Sequence, residues 1–572
     1  MSDPFVQVTF KEEAGEDANE EEEFPHPFAH VDYEEPAPGT WAPRALVELR
    51  MYQLSATIRE KPEWWRKFKD PEIRKKWFEE AKAQQAEVEE RWRLTDNMLN
   101  YTLGELEGYA QLRDEETGIE AGPYDRVWLS DKLIPDELRS ALQAAIKPFE
   151  DVPEAEKDWH PNSNNQVLDL VHPSLYPLVY GKTQGKQKDG SIGTFSPPEP
   201  DEPLADHFLS DKFQWLPSDF QVKEDGSVAL VSPYINNIPP ENAKTLVPVL
   251  EQIMARAVPL WERVLSDLRR GELPMRLGPF VENDYGIGAE KGLPCIWGEN
   301  GMRWPEGDDE DLEGDALEAW DARQPLSLPD CPAEYDGALD ERKEGLVELK
   351  GRKLQVIVKL ANIVLTPEKP EYPGGKWHVE GMYNEGIVST FIYYYHSDNI
   401  QDTRLSFRQA TAEPFYHEQD DSFCMKTLYG MSRDEPCVQD VGSVITKEGR
   451  CVAFPNLYQH KVSPFHLVDP TKPGLRKILV FFLVDPTRNI PSATDIAPQQ
   501  EGWLKNTLYT SGEGSHLAKV PIELLDVFAS MTPGTMSREE AFRIREELMK
   551  ERSVDLEFGN GMFTHEFNMC EH

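Results

Sequence analysis

Cysteine is scarce in this chain. There are six in 572 residues: Cys295, Cys331, Cys424, Cys437, Cys451 and Cys570. No two share a C-x-x-C spacing, which argues against a zinc ribbon or finger. Free thiols in a reducing compartment are expected. Long apolar runs are missing too. The longest strongly apolar run, ILVFFLV, is far short of the roughly 20 residues that span a bilayer. The N-terminus, MSDPFVQVTFKEEAGEDANEEEE, has neither a basic segment nor an apolar stretch, so no signal peptide is expected. Positive charge is in deficit: 60 Lys and Arg against 103 Asp and Glu, a net charge of −43. Such a surface repels phosphate backbones and excludes nucleic acid as a partner. It would attract a cationic small molecule or peptide instead. A soluble cytoplasmic or nuclear protein is expected, with no membrane partner.

Hydrophobic residues make up 39% of the chain and aromatics 10%, enough for a large core. Residues 1–40 are acidic and Pro-rich, and a disordered tail is expected there. Residues 41–120 carry apolar positions at three- and four-residue spacing, the helical period. Asp70 before Pro71 marks a helix start. Residues 121–345 mix strand and helix signals. Val127 to Leu129 read as a strand, and Asp136 is the expected N-cap of an amphipathic helix. Glu224-Asp225-Gly226 reads as a hairpin turn. A long helix after it is expected to break near Pro259, and residues 283–345 read as an acidic loop. His160 and His172, each followed by Pro, are expected in structural roles. The Gly286-Ile287-Gly288 run lacks the spacing and the following helix of a dinucleotide loop. Residues 491–572 end in a helix capped by Ser537 and Glu540.

The chemistry is concentrated in residues 346–490. Lys353 to Leu365 alternates as a strand. His378 and Glu380 follow in KWHVEG. In an extended backbone, residues two apart point to the same face, so both can reach one metal. IVSTFIYYY is a further strand. Val441–Ile445 and Arg450–Phe454 bracket Lys447-Glu448-Gly449 and read as a hairpin. His460 follows, and Arg476 opens the apolar strand RKILVFFLV. Two His and one carboxylate are the ligand set of the non-haem Fe(II) facial triad.

The order strand, HxE, strands, G-R-x-x-A-F-P-N, His and G-x-R before an apolar strand resembles the Fe(II)/2-oxoglutarate-dependent oxygenases, over roughly Lys353 to Pro486. A strand, the turn D-x-LIP and a helix near residue 130 resemble the unit preceding their barrel. Over nearly its full length the chain also resembles the mostly fungal domain-of-unknown-function 4246 family, through QVLDLVHPSLYPLVYG, SPYINNIPP and EAFRIREELMKERS. These resemblances imply an α+β chain with a double-stranded β-helix (jelly-roll or cupin-like) barrel and helices at both ends. They imply Fe(II) on His378, Glu380 and His460, with Arg476 on the distal carboxylate of 2-oxoglutarate, assisted by Tyr393. Lys477 would face away. The implied activity is oxidation, by default hydroxylation, of a small molecule or protein side chain. Glu replaces the commoner Asp, and the interval from His460 to Arg476 is longer than usual. The alternative is a non-catalytic barrel that recruits a basic partner.

Overall fold

The computed structural model describes residues 24–28, 41–199, 208–271, 275–277, 281–282, 291–298, 301–302, 305, 312–419, 421–510, 519–558 and 561–569. The N-terminal third is helical: α1 (Leu46–Arg59), α2 (Pro71–Gln84) and α3 (Asp96–Leu112). The Asp70 carboxylate accepts from the Glu72 and Ile73 N–H groups and caps α2, with Pro71 in its first turn. Strands β1 (Glu120–Ala121) and β2 (Trp128–Ser130) lead into α4 (Asp136–Glu150). Pro135, not Asp136, is the N-cap of α4; Asp136 is its first helical residue. Leu138, Leu142, Ala145 and Ile146 form the buried face.

The chain is α+β, with mainly antiparallel sheets. After β3 (Val167–Val171), the strands β4 (Ser218–Val222) and β5 (Val228–Leu230) form the hairpin whose turn contains Gly226, at φ 80°. A second group follows: β6 (Lys353–Leu365), β7 (Ile387–Asp398), β8 (Thr403–Ala410), β9 (Val438–Thr446), β10 (Cys451–Pro455), β11 (Gln459–Val462) and β12 (Gly474–Val484). The larger sheet runs β1-β2-β10-β7-β12-β6-β4-β5, with β3 also paired to β6. The smaller runs β9-β8-β11.

Among the described residues no pairing joins the two sheets into a closed barrel. The expected hairpin around Lys447-Glu448-Gly449 is absent for the same reason. β9 pairs with β8 and β10 with β7 and β2, so the turn carries the chain from one sheet to the other.

Helix α5 (Pro240–Arg269) covers the outer face of the large sheet. Trp261 lies against Phe391 and Phe481, with ring centroids 6.3 and 6.4 Å away. The expected break at Pro259 does not occur. α5 runs through Pro248 and Pro259, held by a buried face that includes Leu250, Ile253, Ala257 and Leu265. Tertiary burial outweighs the roughly 3 kcal/mol that a proline costs inside a helix. One apolar cluster reaches from Phe24 and Phe28 through the helices and the sheet to Phe563. Phe24 and Phe28 are buried, and the Phe24 N–H donates to Asp485 Oδ2 at 2.8 Å. That part of the N-terminal segment is therefore packed, against the expectation of disorder; the rest of residues 1–40 lies outside the described residues. The stretch expected as an acidic loop contains a helix, Gly314–Asp321; the glycine run at 286–288 lies outside the described residues. The C-terminal helix α7 (Arg538–Phe558) is capped by Ser537 Oγ, which accepts from the Glu540 N–H, and buries Ala541, Ile544 and Leu548. No described helix is long and apolar enough to cross a membrane.

Candidate metal centre

The turn Pro373-Gly374-Gly375 brings the chain alongside β11. Gly374 has φ 88°, and a Cβ there would stand 2.8 Å from the Val462 carbonyl oxygen. Only glycine combines that conformation with that approach. The backbone then forms an antiparallel bridge. His378 N–H donates to the His460 carbonyl (3.3 Å), and His460 N–H donates to the His378 carbonyl (2.9 Å). Residues opposed in this way hold their side chains together; the imidazole centroids are 4.2 Å apart.

Glu380 completes the group. Its Oε1 lies 3.6 Å from His378 Nε2 and 3.4 Å from His460 Nε2. All three donor atoms lie within 4.8 Å of one another. Ligands about 2.1 Å from one ion, on one face of an octahedron, stand about 3 Å apart, so a small contraction suffices. His378 Nδ1 lies 2.9 Å from the Lys376 carbonyl. A carbonyl only accepts, so the proton sits on Nδ1 and Nε2 carries the lone pair that a metal needs.

The electrostatics fit the same role. Burial pushes the Glu380 carboxyl up, but the two imidazoles outweigh it and hold the carboxyl well below its ordinary range. Burial opposes protonation of His378, yet the Glu380 carboxylate, 3.6 Å from its Nε2, prevails and raises it, favouring a proton that a metal would have to displace. Burial, then the His378 charge, lowers His460 to about 4. An anionic Glu380 and a neutral His460 are the states a cation binds.

Asn456 was not singled out by sequence reasoning. Its Oδ1 accepts from the Glu380 N–H (2.8 Å), and its Nδ2 donates to the carbonyls of Glu380 (2.8 Å) and Ile387 (3.0 Å). It fixes the Glu380 backbone. Asn456→Ala is expected to weaken iron(II) binding by roughly 10- to 100-fold, the loss typical of a supporting group around a metal. Anaerobic metal titration checks this; unchanged affinity would remove Asn456 from the site.

Arg476 is almost fully buried. It lies over the Phe465 ring at 4.7 Å, and Nη2 donates to the Gln401 carbonyl at 3.2 Å. Its Nε and Nη1 are buried without a partner. Lys477 faces the other side and pairs with Glu150 of α4 at 2.6 Å. Cross-strand register identifies the remaining groups on the Arg476 face. Arg476 is opposite Ile363 on β6, and Ile478 is opposite Tyr394 on β7. Side chains alternate along a strand, so Tyr394 and Lys359 share that face. Lys359 adds positive potential at both His378 and His460.

Tyr393 is on the opposite face, opposite Leu479 and Cys451, with its hydroxyl buried and unpartnered. The structure thus replaces Tyr393 by Tyr394 as the tyrosine beside Arg476. A register shift between Tyr394 and His396 makes this unreadable from the sequence alone. Tyr394→Phe is expected to weaken 2-oxoglutarate binding by about 1.5–3 kcal/mol, the value of a hydrogen bond to a charged group. Tyr393→Phe is expected to leave binding unchanged. Isothermal titration of both variants decides between them.

A second group of two His and one carboxylate behaves differently. His160 Nδ1 lies 2.8 Å from Asp169 Oδ2, and Arg545 stands 3.9 Å from the same oxygen. The Ser174 N–H donates to His172 Nδ1 at 3.2 Å, leaving the ring proton on Nε2. This is a hydrogen-bonded cluster whose acid already has cations around it.

The family models identify one family, and its description carries no activity. The family described as "Protein of unknown function (DUF4246)" matches residues 96–507, and "Domain of unknown function DUF4246, N-terminal" matches residues 4–80. No curated protein sequence matches the chain. Similar solved structures include an Fe(II)/α-ketoglutarate-dependent dioxygenase, TqaL, at 17% identity, over 28% of this chain and 55% of that one, with a TM-score of 0.17. IDO from Bacillus thuringiensis follows at 11% identity, over 24% and 48%, with a TM-score of 0.16. A bsmA homolog from Methylobium petroleophilum PM1 matches at 14% identity, over 39% and 70%, with a TM-score of 0.17. The chain thus spans about half the length of the first two. TM-scores of this size do not establish a common fold.

Proposed function

The chain belongs to the DUF4246 family, whose description carries no activity, and we propose that it is a non-haem Fe(II)/2-oxoglutarate-dependent oxygenase. One observation carries the reading: His378 Nε2, Glu380 Oε1 and His460 Nε2 converge on one point. Strand order supports a double-stranded β-helix. The run β10-β7-β12-β6 forms one half, and β9-β8-β11, extended by the His378 bridge, forms the other.

His378, Glu380 and His460 would hold Fe(II) on one face and leave the opposite positions open. Iron there supplies dioxygen chemistry that converts 2-oxoglutarate to succinate and CO₂ while a substrate C–H bond becomes C–OH. The chain's own residues do the rest. Arg476 has free donors on Nε and Nη1 with which to meet the distal carboxylate. Tyr394 lies on the same face and can donate to that carboxylate. Phe454, packed 4.9 Å from His460, would help keep water from that side of the site. Asn456 keeps Glu380 in position. The substrate is a small molecule or a peptide side chain, and the net charge of −43 favours a cationic one.

The test is oxygen-dependent succinate formation by the iron-loaded full-length chain given 2-oxoglutarate. Succinate above the metal-free background supports the reading. Its absence, with 2-oxoglutarate still binding, favours a non-catalytic binding protein.

A further inference from the structure

Apart from the His378 group, with which they share no residue, Cys295, Asp421 and Cys424 bring two sulfurs and a carboxylate oxygen within 4.8 Å of one another. Cys295 lies in the turn at residues 295–298, after the strand Lys291–Gly292. Cys424 lies in the first turn of α6 (Ser422–Tyr429), for which Asp421 is the N-cap. The residues share an apolar cluster separate from the main core, where Trp297 stacks on Phe423 at 5.5 Å. Cys424 and Asp421 are buried and Cys295 is half-buried.

Three features make this more than two thiols in contact. First, backbone donors are aimed at both sulfurs: Trp297 N–H at Cys295 and Ile296 N–H at Cys424. The tight turn that supplies them closes through Gly298 N–H to the Cys295 carbonyl at 3.1 Å, with Gly298 at φ 62°. Second, Asp421 is held in place. Its Oδ1 accepts from the Cys424 N–H (3.0 Å) and its Oδ2 from Trp297 Nε1 (2.8 Å). Third, the charges acting on the group are acidic. Glu418 bears on Cys295 and Asp421, and Asp421 bears on both sulfurs. A largely buried group of two sulfurs and a carboxylate, with acids around it, calls for a cation.

We propose that Cys295, Cys424 and Asp421 bind a thiophilic divalent ion, with zinc the best match in chemistry. Thiolates select zinc over the harder iron(II), and zinc takes four tetrahedral ligands. The fourth is a water. The ion ties the 291–298 segment to α6. No residue is shared with the His378 centre, so neither assignment depends on the other.

The test uses the full-length chain as wild type, His378→Ala, Cys295→Ser and Cys424→Ser. Metal content is measured by mass spectrometry, and spectra are taken after cobalt(II) replacement. One equivalent of zinc should persist in His378→Ala and be lost from both cysteine variants. The cobalt form of His378→Ala should show sulfur-to-cobalt charge transfer. Should Cys424→Ser not fold, Cys295→Ser at its half-buried position gives the same comparison. A His378→Ala protein without zinc and without the cobalt band overturns the proposal. So does a Cys295–Cys424 disulfide in protein purified without oxidant.

Discussion

Arg476→Met is expected to weaken 2-oxoglutarate binding by about 30-fold or more while leaving the fold at least as stable. The reasoning lies in what Arg476 lacks. It is buried, yet two of its three guanidinium nitrogens have no partner. Removing one member of a buried charge pair costs about 2–5 kcal/mol, and 1.4 kcal/mol is a factor of ten. A guanidinium kept for stability would be paired directly with a carboxylate, as Arg342 is with Asp267 at 2.6 Å. Burial weighs on Arg476 more than Tyr394 and Asp402 offset, a cost that methionine would relieve. The pairing of weaker binding with undiminished thermal stability is the signature of a ligand-receiving arginine. Calorimetric titration together with a melting curve reads both. A destabilised variant with normal affinity would assign Arg476 to structure instead.

His460→Ala is expected to reduce iron(II) affinity by more than the roughly 100-fold upper range for losing a supporting group, and to abolish succinate formation. His460 is a donor and also the backbone partner of His378, so its imidazole is removed while the bridge remains. The matched control is His172→Ala. It belongs to the other His, His and carboxylate group, where the Ser174 N–H and Arg545 occupy the positions that a metal would compete for. That variant should keep its iron. Equal losses in both variants would show that the measured metal is not bound at one defined centre.

Much of the centre was legible because strand parity is a local property. The two-residue spacing of His378 and Glu380 predicts convergence. The step from Arg476 to Lys477 predicts opposite faces, and Lys477 does turn to Glu150. Features that depend on pairing between distant strands were not legible. Tyr394 replaces Tyr393 because a register shift in β7 sets its phase against β12. Lys359 sits on the mixed face of β6, which alternates with Leu354, Val356, Val358 and Leu360. Only the pairing of Ile363 with Arg476 shows that this face looks inward. The hairpin reading of Lys447-Glu448-Gly449 failed for a similar reason, since a turn does not say which sheet each arm joins. α5 runs on through Pro259 because tertiary burial outweighs a local signal. Cys295 and Cys424 lie too far apart in sequence for any spacing rule to connect them.

The most direct test of the central claim is an anaerobic titration of the purified chain with iron(II) and then 2-oxoglutarate, followed by visible absorption. Bidentate binding of the keto acid to iron at the triad predicts a weak charge-transfer band in the wild type. The same account predicts its loss in His378→Ala. No band in the wild type, or an undiminished band in His378→Ala, would contradict it.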